Sequence, residues 1–166
     1  MREIKIEKIT LNIGTGEPGE KLEKALKLLK NISGEKPVKT VTRKRIPTWK
    51  IRPGLQIGCK VTLRGEKAQK MLKRLLQAKG NKLKKENFDD KGNFAFGIKE
   101  YLDIPEAKYD ADIGIIGLEV AVTLQRPGYR IKRRMIKPKK IPKKHAITKQ
   151  EAIEFIQKKY GIEVEQ

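Results

Sequence analysis

Four stretches of the chain alternate apolar and polar residues, and each alternation predicts a strand with one buried face. In the first stretch Ile9, Leu11 and Ile13 share one face, and polar residues occupy the other. The same period recurs in residues 57–64, 94–98 and 118–125. A weaker strand is predicted for KPVKTVTRK, residues 36–44. Ile4 and Ile6 have the opposite parity, so we expect a bulge or the start of the strand near Glu7.

Three further stretches have the spacing of amphipathic helices. The apolar face of the first helix is predicted as Leu22, Ala25, Leu26, Leu29 and Ile32, with Gly34 at its end. The face of the second is predicted as Ala68, Met71, Leu72, Leu75 and Leu76, with Gly80 as its stop. Thr148 and Glu151 have the spacing of a capping box, which opens a last short helix that ends at Tyr160.

The order of these elements predicts an α+β fold with two layers. We expect a mainly antiparallel sheet with helices packed on one face, followed by a basic extended segment and a short C-terminal helix. A single α+β domain is expected over residues 1–125, including the loop 43–54. Residues 126–166 are expected to form a basic arm and the last helix, packed on that same domain.

Charge narrows the class of partner. The chain has 40 Lys and Arg against 20 Asp and Glu, a net charge of +20. Such a charge repels itself until a polyanion neutralises it, so nucleic acid is the first candidate and an anionic membrane surface the second. No apolar run is long enough to span a bilayer, and the first residues lack the apolar centre of a signal peptide. We therefore expect a cytoplasmic protein without a membrane-spanning segment, and we expect nucleic acid, and no membrane, as its partner.

Enzyme chemistry has little support in the sequence. With one histidine, His145, and one cysteine, Cys59, a His/Cys zinc site cannot be assembled. Cys59 lies on the core-facing parity of its strand, where a thiol behaves as a small apolar group. The acidic residues of NFDDKGN and DADIG are explained by turn chemistry, and the loop GTGEPG lacks a phosphate-loop ending. We expect no catalytic residues, no metal and no cofactor.

The outward faces of two predicted strands carry the residues that suit RNA. Lys8, Thr10 and Asn12 alternate outward on one strand, and Lys60, Thr62 and Arg64 on the other. Cations neutralise phosphates, and hydroxyl and amide groups direct hydrogen bonds to sugar and phosphate. Neither strand has the stacked aromatics of a common RNA-recognition sheet, which favours contact with a duplex backbone. The alternative is an ordinary solvated sheet face.

Two other basic segments allow two interpretations each. The loop RKRIPTWKIRPG, residues 43–54, holds the only tryptophan, Trp49, between prolines that exclude a helix. Trp49 is either a stacking platform for a base or a lid folded back on the core. Residues 126–144 contain ten basic residues and form either an arm that follows an RNA groove or a solvated, disordered tail.

Several motifs in a fixed order resemble the large-subunit ribosomal protein five family, whose members bind 5S rRNA in the central protuberance. They are IEKITLNIG, KPVKT, IGCKVTLRG, FDDKGNFAFGIKE and DIGIIGLEVAVTLQRPGYR. The resemblance covers essentially residues 4 to 160. The segment RPGYRIKRR, and the helix after KKHAITKQEA, are similar to the archaeal and eukaryotic branch.

The resemblance implies a structural protein that binds 5S rRNA through the outward faces of its strands. Together with strand parity, it assigns 5S rRNA binding to Lys8, Thr10, Asn12, Thr40, Thr42, Lys60, Thr62 and Arg64. The loop 43–54 is similar to the family's loop that reaches P-site tRNA, which assigns this contact to Arg43, Lys44, Arg45, Trp49, Lys50 and Arg52. Where the family usually has a phenylalanine, often beside a glycine, this chain has Thr48-Trp49-Lys50 and an added Pro53.

The remaining partners follow from the same resemblance. Large-subunit rRNA is expected to contact the basic arm at Arg126, Arg130, Lys132, Arg133, Arg134, Lys137, Lys139 and Lys140. Neighbouring proteins of the central protuberance and a small-subunit head protein across the subunit bridge are the implied protein partners. The competing hypothesis is a non-ribosomal RNA-binding protein or RNA chaperone that uses the same surface.

Overall fold

A computed structural model describes residues 1–165 and gives an α+β fold. The strands are β1 (Lys5–Gly14), β2 (Val38–Val41), β3 (Gln56–Leu63), β4 (Lys82–Lys84), β5 (Phe94–Ile98), β6 (Leu118–Gln125) and β7 (Glu163–Glu165). The helices are α1 (Glu20–Ser33), α2 (Gly65–Ala78), α3 (Arg130–Arg133) and α4 (Lys149–Tyr160). In the described part of the chain no helix is long and apolar enough to cross a membrane.

Five strands form an antiparallel sheet in the order β2-β3-β1-β6-β5, and β4 and β7 form a separate parallel pair. The predicted two-layer α+β class is therefore confirmed. The chain divides into two compact units whose segments interleave along the sequence. The first unit comprises Met1–Ile9, Arg64–Phe96 and the described residues from Ala121 onward. The second unit comprises Thr10–Leu63 and Gly97–Val120.

The core of the second unit lies where α1 packs against β3. Cys59, Val61 and Leu63 are buried on the helix-facing side of β3, as their parity predicts. The helix buries Leu22, Ala25, Leu28, Leu29 and Ile32. Leu28 thus takes the place that residue spacing assigned to Leu26, which is half-buried. Gly34 ends the helix at φ 68°, in the left-handed conformation that glycine adopts without a steric penalty.

In the first unit, α2 buries all five residues that its spacing predicts. Phe88 stacks on Phe94 with ring centroids 5.0 Å apart, and Phe94 lies 6.3 Å from Phe96. The capping box of α4 is present: the Thr148 side chain accepts from the Glu151 backbone N–H, and Glu151 accepts from that of Thr148. This confirms the predicted start of the last helix.

Two local predictions need correction. Of the two alternatives near Glu7, the start of the strand is wrong, since β1 begins at Lys5. Ile6 and Ile9 are both buried, so the inward parity changes between them, in agreement with the expected bulge. The basic segment 126–144 is not uniformly extended, since it contains α3 and runs into a single 3₁₀ turn at Lys143–His145. The reason is local: Pro127 and Gly128 turn the chain back, and backbone N–H groups of the next residues close short helical hydrogen bonds.

Candidate nucleic-acid interface

The second unit presents a polar strip on the side of the sheet that α1 does not cover. Thr10 and Asn12 alternate with buried residues of β1, and Lys60 and Thr62 do the same on β3. Lys60 is exposed, and the other three side chains are half-buried. Thr40 joins them because β2 pairs with β3 in the register Thr40 to Gly58 and Val38 to Lys60. These residues, Thr10, Asn12, Thr40, Lys60 and Thr62, are named the polar sheet surface.

Gly58 is a residue of this surface that sequence reasoning missed. A Cβ at that position would lie 2.8 Å from the Ile13 carbonyl oxygen and 3.0 Å from Thr40 Oγ1. The absence of a side chain therefore lets the Thr40 hydroxyl and the backbone of β1 approach β3 closely. The signal in the sequence was a glycine at an outward position inside a strand.

An acidic residue lies at one margin of the surface. Asn12 Nδ2 donates a hydrogen bond of 3.3 Å to Glu119 Oε2, which is exposed on β6. A carboxylate there repels phosphate, whereas the exposed ammonium of Lys60 attracts it. Phosphate contact is thus favoured at Lys60, and directed hydrogen bonding at the threonines.

The basic loop of residues 43–54 forms a small hairpin in the second unit. Ile46 and Ile51 exchange two backbone hydrogen bonds of 2.9 and 3.1 Å, and residues 47–49 form a 3₁₀ turn between them. Lys50, at φ 54°, completes the reversal. Thr42 is engaged at the base, where its hydroxyl bonds the backbone of Lys44.

The hairpin resolves the two interpretations of its tryptophan. Ile51 is 5% exposed and anchors the loop, whereas Trp49 is 70% exposed. The lid interpretation is therefore wrong, since the aromatic face is open to solvent. The basic side chains of the loop are exposed as well: Arg43, Lys44, Arg45, Lys50 and Arg52.

Lys8 and Arg64, both assigned to 5S rRNA, belong to the first unit. Arg64 is exposed and precedes α2. Lys8 is half-buried and lines a cleft together with cations that sequence analysis assigned to the basic arm. Those cations are Lys132, Arg133, Lys139 and Lys140.

Arg126 differs from the other cations of the arm because it is 5% exposed. Its guanidinium donates to Glu151 Oε1 at 2.7 Å and to the carbonyls of His145 and Ala146 at 3.2 Å each. The Thr148 backbone N–H, and then Arg126, hold the pKa of Glu151 below its ordinary value of 4.5. Arg126 thus joins the arm to the start of α4, and its charge is paired with that of Glu151 inside the first unit.

The other arm cations are exposed, although two of them are held in place. Arg133 bonds Glu7 and, at 2.6 Å, the side-chain oxygen of Gln125. Arg134 Nε donates to the Lys137 carbonyl at 2.9 Å. Exposed ammonium and guanidinium groups remain at Arg130, Lys132, Lys137, Lys139 and Lys140.

The candidate catalytic groups have structural explanations. Cys59 is fully buried, and its burial raises the pKa of the thiol to about 11. Asp89 accepts from the backbone N–H groups of Lys91 and Asn93, and Asp110 from that of Asp112. Among the described residues no group of three or more His, Cys, Asp or Glu side chains is arranged to hold a metal ion.

Comparison with known proteins gives consistent matches over nearly the whole chain. Residues 1–52 match the family model "Ribosomal protein L5", and residues 56–155 match the model of the C-terminus of the same ribosomal family. The chain is similar to "Large ribosomal subunit protein uL5" of Nanoarchaeum equitans, with 56% identity over 99% of this chain and 97% of that protein. The proteins of the same name from Sulfurisphaera tokodaii and Methanosphaera stadtmanae are 46% and 47% identical. Those alignments cover 99% and 96% of this chain, and 93% and 95% of the relatives.

Proposed function

The chain belongs to the archaeal type of the ribosomal protein L5 family, and from that premise we propose that its polar sheet surface binds 5S rRNA. The family consists of structural, non-enzymatic proteins of the large ribosomal subunit. The protein is accordingly a ribosome-bound constituent of the cytoplasm.

The observation that carries the proposal is the composition of the polar sheet surface. It combines one exposed ammonium, at Lys60, with three hydroxyls and one amide on adjacent strands. An ammonium neutralises a phosphate, and hydroxyl and amide groups bond phosphate oxygens and the ribose 2′-hydroxyl. No aromatic ring stands among these residues, so the surface contacts the RNA backbone rather than stacked bases. Thr42, Lys8 and Arg64 supply further contacts to 5S rRNA under the same proposal.

The hairpin 43–54 supplies a second RNA contact, to P-site tRNA. Its exposed Trp49 offers a flat face for stacking. Five exposed cations lie on either side of Trp49 in the sequence. The hairpin is a separate element from the polar sheet surface, so the two contacts are expected to respond to different substitutions.

The basic arm supplies contacts to large-subunit rRNA through its exposed cations. Arg126 acts differently, by fixing the arm to α4 through Glu151. Neighbouring proteins of the central protuberance and a small-subunit head protein across the subunit bridge complete the proposed set of partners.

A gel-shift titration of purified protein with 5S rRNA tests the two surfaces. The double variant Lys60→Ala/Asn12→Ala removes a phosphate contact and a directed hydrogen bond, so we expect affinity to fall about tenfold or more. Trp49→Ala is the control: it should leave 5S rRNA binding unchanged and weaken tRNA contact in reconstituted ribosomes. Loss of 5S rRNA binding in Trp49→Ala, or wild-type binding by the double variant, would show the assignment to be wrong.

A further inference from the structure

A cleft of about 740 Å³ opens in the first unit between the strands β1 and β6 and the basic arm. Its volume is in the range of about 300 to 1,000 Å³ that pockets for small ligands occupy. Lys8 and Leu124 line it from the strands, the turn 90–93 from a second side, and the arm from a third. The assigned RNA contacts do not account for a concave site of this size.

The floor and one wall of the cleft are apolar or aromatic. Leu124 and Ile147 are buried, Ile141 is half-buried, and Pro138 lies beside them in the lining. The Tyr129 ring is fixed in position, since its hydroxyl accepts from the Ile147 N–H at 2.9 Å and bonds the His145 carbonyl at 3.3 Å. A ring edge of His145 also contacts it, with centroids 5.8 Å apart. A fixed aromatic ring beside an apolar floor suits a flat heterocycle.

The rim of the cleft is cationic. Lys8, Lys91, Lys132, Lys139 and Lys140 all line it. Of its two acidic residues, Glu7 is already paired with Arg133, which leaves Asp90 as the acidic side chain outside that pair. The positive charge of the rim therefore complements phosphate, whereas the apolar floor has no charge to attract it.

The cleft is preformed by contacts within the arm and the turn. The Lys139 N–H donates to the Ile131 carbonyl at 3.1 Å, which folds residues 137–141 back over α3. The turn packs tightly on Ile147, since a Cβ at Gly92 would lie 2.5 Å from Ile147 Cγ2. Asn93 is fixed as well, because its oxygen accepts from the Leu124 N–H at 3.3 Å. A site held open in this way avoids much of the ordering that binding otherwise requires.

We propose that this cleft binds one unpaired nucleotide flipped out of an RNA strand. The base lies on the apolar floor against Tyr129, and the flanking phosphates lie on the lysine rim. A paired base cannot enter, because its faces are covered by neighbours in the duplex; flipping an already unpaired base requires the least free energy. This inference rests on the proposed RNA-binding function and adds the kind of RNA feature that is recognised.

The test compares two RNA pentamers that carry the same charge. One has 2-aminopurine at its centre, the other an abasic site, and both are labelled for fluorescence anisotropy. Base stacking contributes about 1 to 3 kcal/mol, so the abasic RNA should bind roughly 5- to 150-fold more weakly. Ile141→Ser should reduce that ratio several-fold, whereas Ile136→Ser, at an exposed site outside the cleft, should not change it.

Charge variants test the rim separately from the floor. Lys139→Ala/Lys140→Ala should weaken both pentamers by the same factor, and by more than Lys143→Ala/Lys144→Ala, which removes equal charge outside the cleft. Equal binding of the two pentamers, or Ile141→Ser behaving like Ile136→Ser, would overturn the inference. Competition by free AMP as strong as by the pentamer would also overturn it, since it would indicate a mononucleotide site.

A parallel gel shift with 5S rRNA distinguishes failure of the flipped-nucleotide inference from failure of the proposed RNA-binding function. If 5S rRNA binds while the two pentamers bind equally, only the flipped-nucleotide inference fails. If no RNA binds, the proposed function fails with it.

Discussion

Gly58 shapes the polar sheet surface because it lacks a side chain. We predict that Gly58→Ala destabilises the protein, since the new Cβ would meet the fixed carbonyl of Ile13 at 2.8 Å. Overpacking of this kind typically costs about 1 to 3 kcal/mol, more than the roughly 0.5 to 1 kcal/mol that alanine gains over glycine in a strand. Urea unfolding measures the free energy of unfolding directly.

Gly97→Ala is the matched control for this prediction. Gly97 lies in β5, and a Cβ there would have no heavy atom within 4 Å. Its stability should stay within about 0.5 kcal/mol of wild type or rise slightly. Equal stability of the two variants would mean that β3 can shift away from β1 without loss.

The positions of some single residues could be predicted from the sequence, and those of others could not. Strand parity placed Thr10, Asn12, Lys60 and Thr62 correctly on the outer face, because a period of two leaves only two choices. The burial of Arg126 could not be predicted in the same way. In a run of ten cations, the one that meets a distant carboxylate is decided by tertiary packing, and Glu151 is 25 residues away.

The start of α4 depends on the ion pair and the capping box that share Glu151. We predict that Glu151→Gln lowers the free energy of unfolding at pH 7 by about 1 to 3 kcal/mol, because it leaves the buried Arg126 without its counter-ion. Glu154→Gln changes an exposed residue of the same helix and should stay within about 0.5 kcal/mol of wild type.

The contribution of Glu151 to the free energy of unfolding also depends on pH. Because folding lowers the pKa of Glu151, its contribution to stability is present above its unfolded pKa, near 4.5, and disappears as the pH falls through the folded value. Wild type should therefore lose more stability than Glu151→Gln between pH 5 and the folded pKa. Parallel pH curves for the two proteins would contradict this account.

At the scale of elements, helices and long strands were predictable, and short strands were not. The faces of α2, β5 and β6 follow from periods of 3.6 and 2 over enough residues to be distinctive. β4 and β7 have only three residues each, which is too short for an alternation to be distinctive. They also pair across 81 positions of the sequence, from Lys82 to Glu163. In α1 the apolar residues Leu26, Leu28 and Leu29 are too close together for spacing alone to choose the buried ones.

The amino-acid composition of the hairpin 43–54 does not determine whether its tryptophan is exposed. Its prolines excluded a helix, but whether Trp49 faces solvent depends on which residue anchors the loop. Ile51 pairs with Ile46 and fills that position, a choice that no periodicity in this short segment could indicate. The contacts with tRNA and 5S rRNA stay predictions, as does the expected division of the molecule into residues 1–125 and 126–166.

For the molecule as a whole, a net charge of +20 implies that RNA binding depends strongly on salt. Counter-ions released from the RNA set this dependence, and each neutralised phosphate adds about −0.7 to −0.9 to the slope of log K against log salt concentration. The slope therefore counts phosphate contacts, whereas hydrogen bonds from hydroxyl groups change the affinity without changing the slope.

We therefore predict different signatures for two neighbours on the polar sheet surface. Lys60→Ala should weaken 5S rRNA binding and make the slope shallower by about 0.7 to 0.9. Thr62→Val should weaken binding by about 0.5 to 1.5 kcal/mol at every salt concentration and leave the slope unchanged. Filter-binding titrations from about 50 to 300 mM KCl would measure both the affinity and the slope.

Lys73→Ala is the control, because it removes the same charge from the exposed side of α2 and should leave the slope as in wild type. If Lys73→Ala and Lys60→Ala flatten the slope equally, the RNA responds to total charge, and the polar sheet surface is not its binding site.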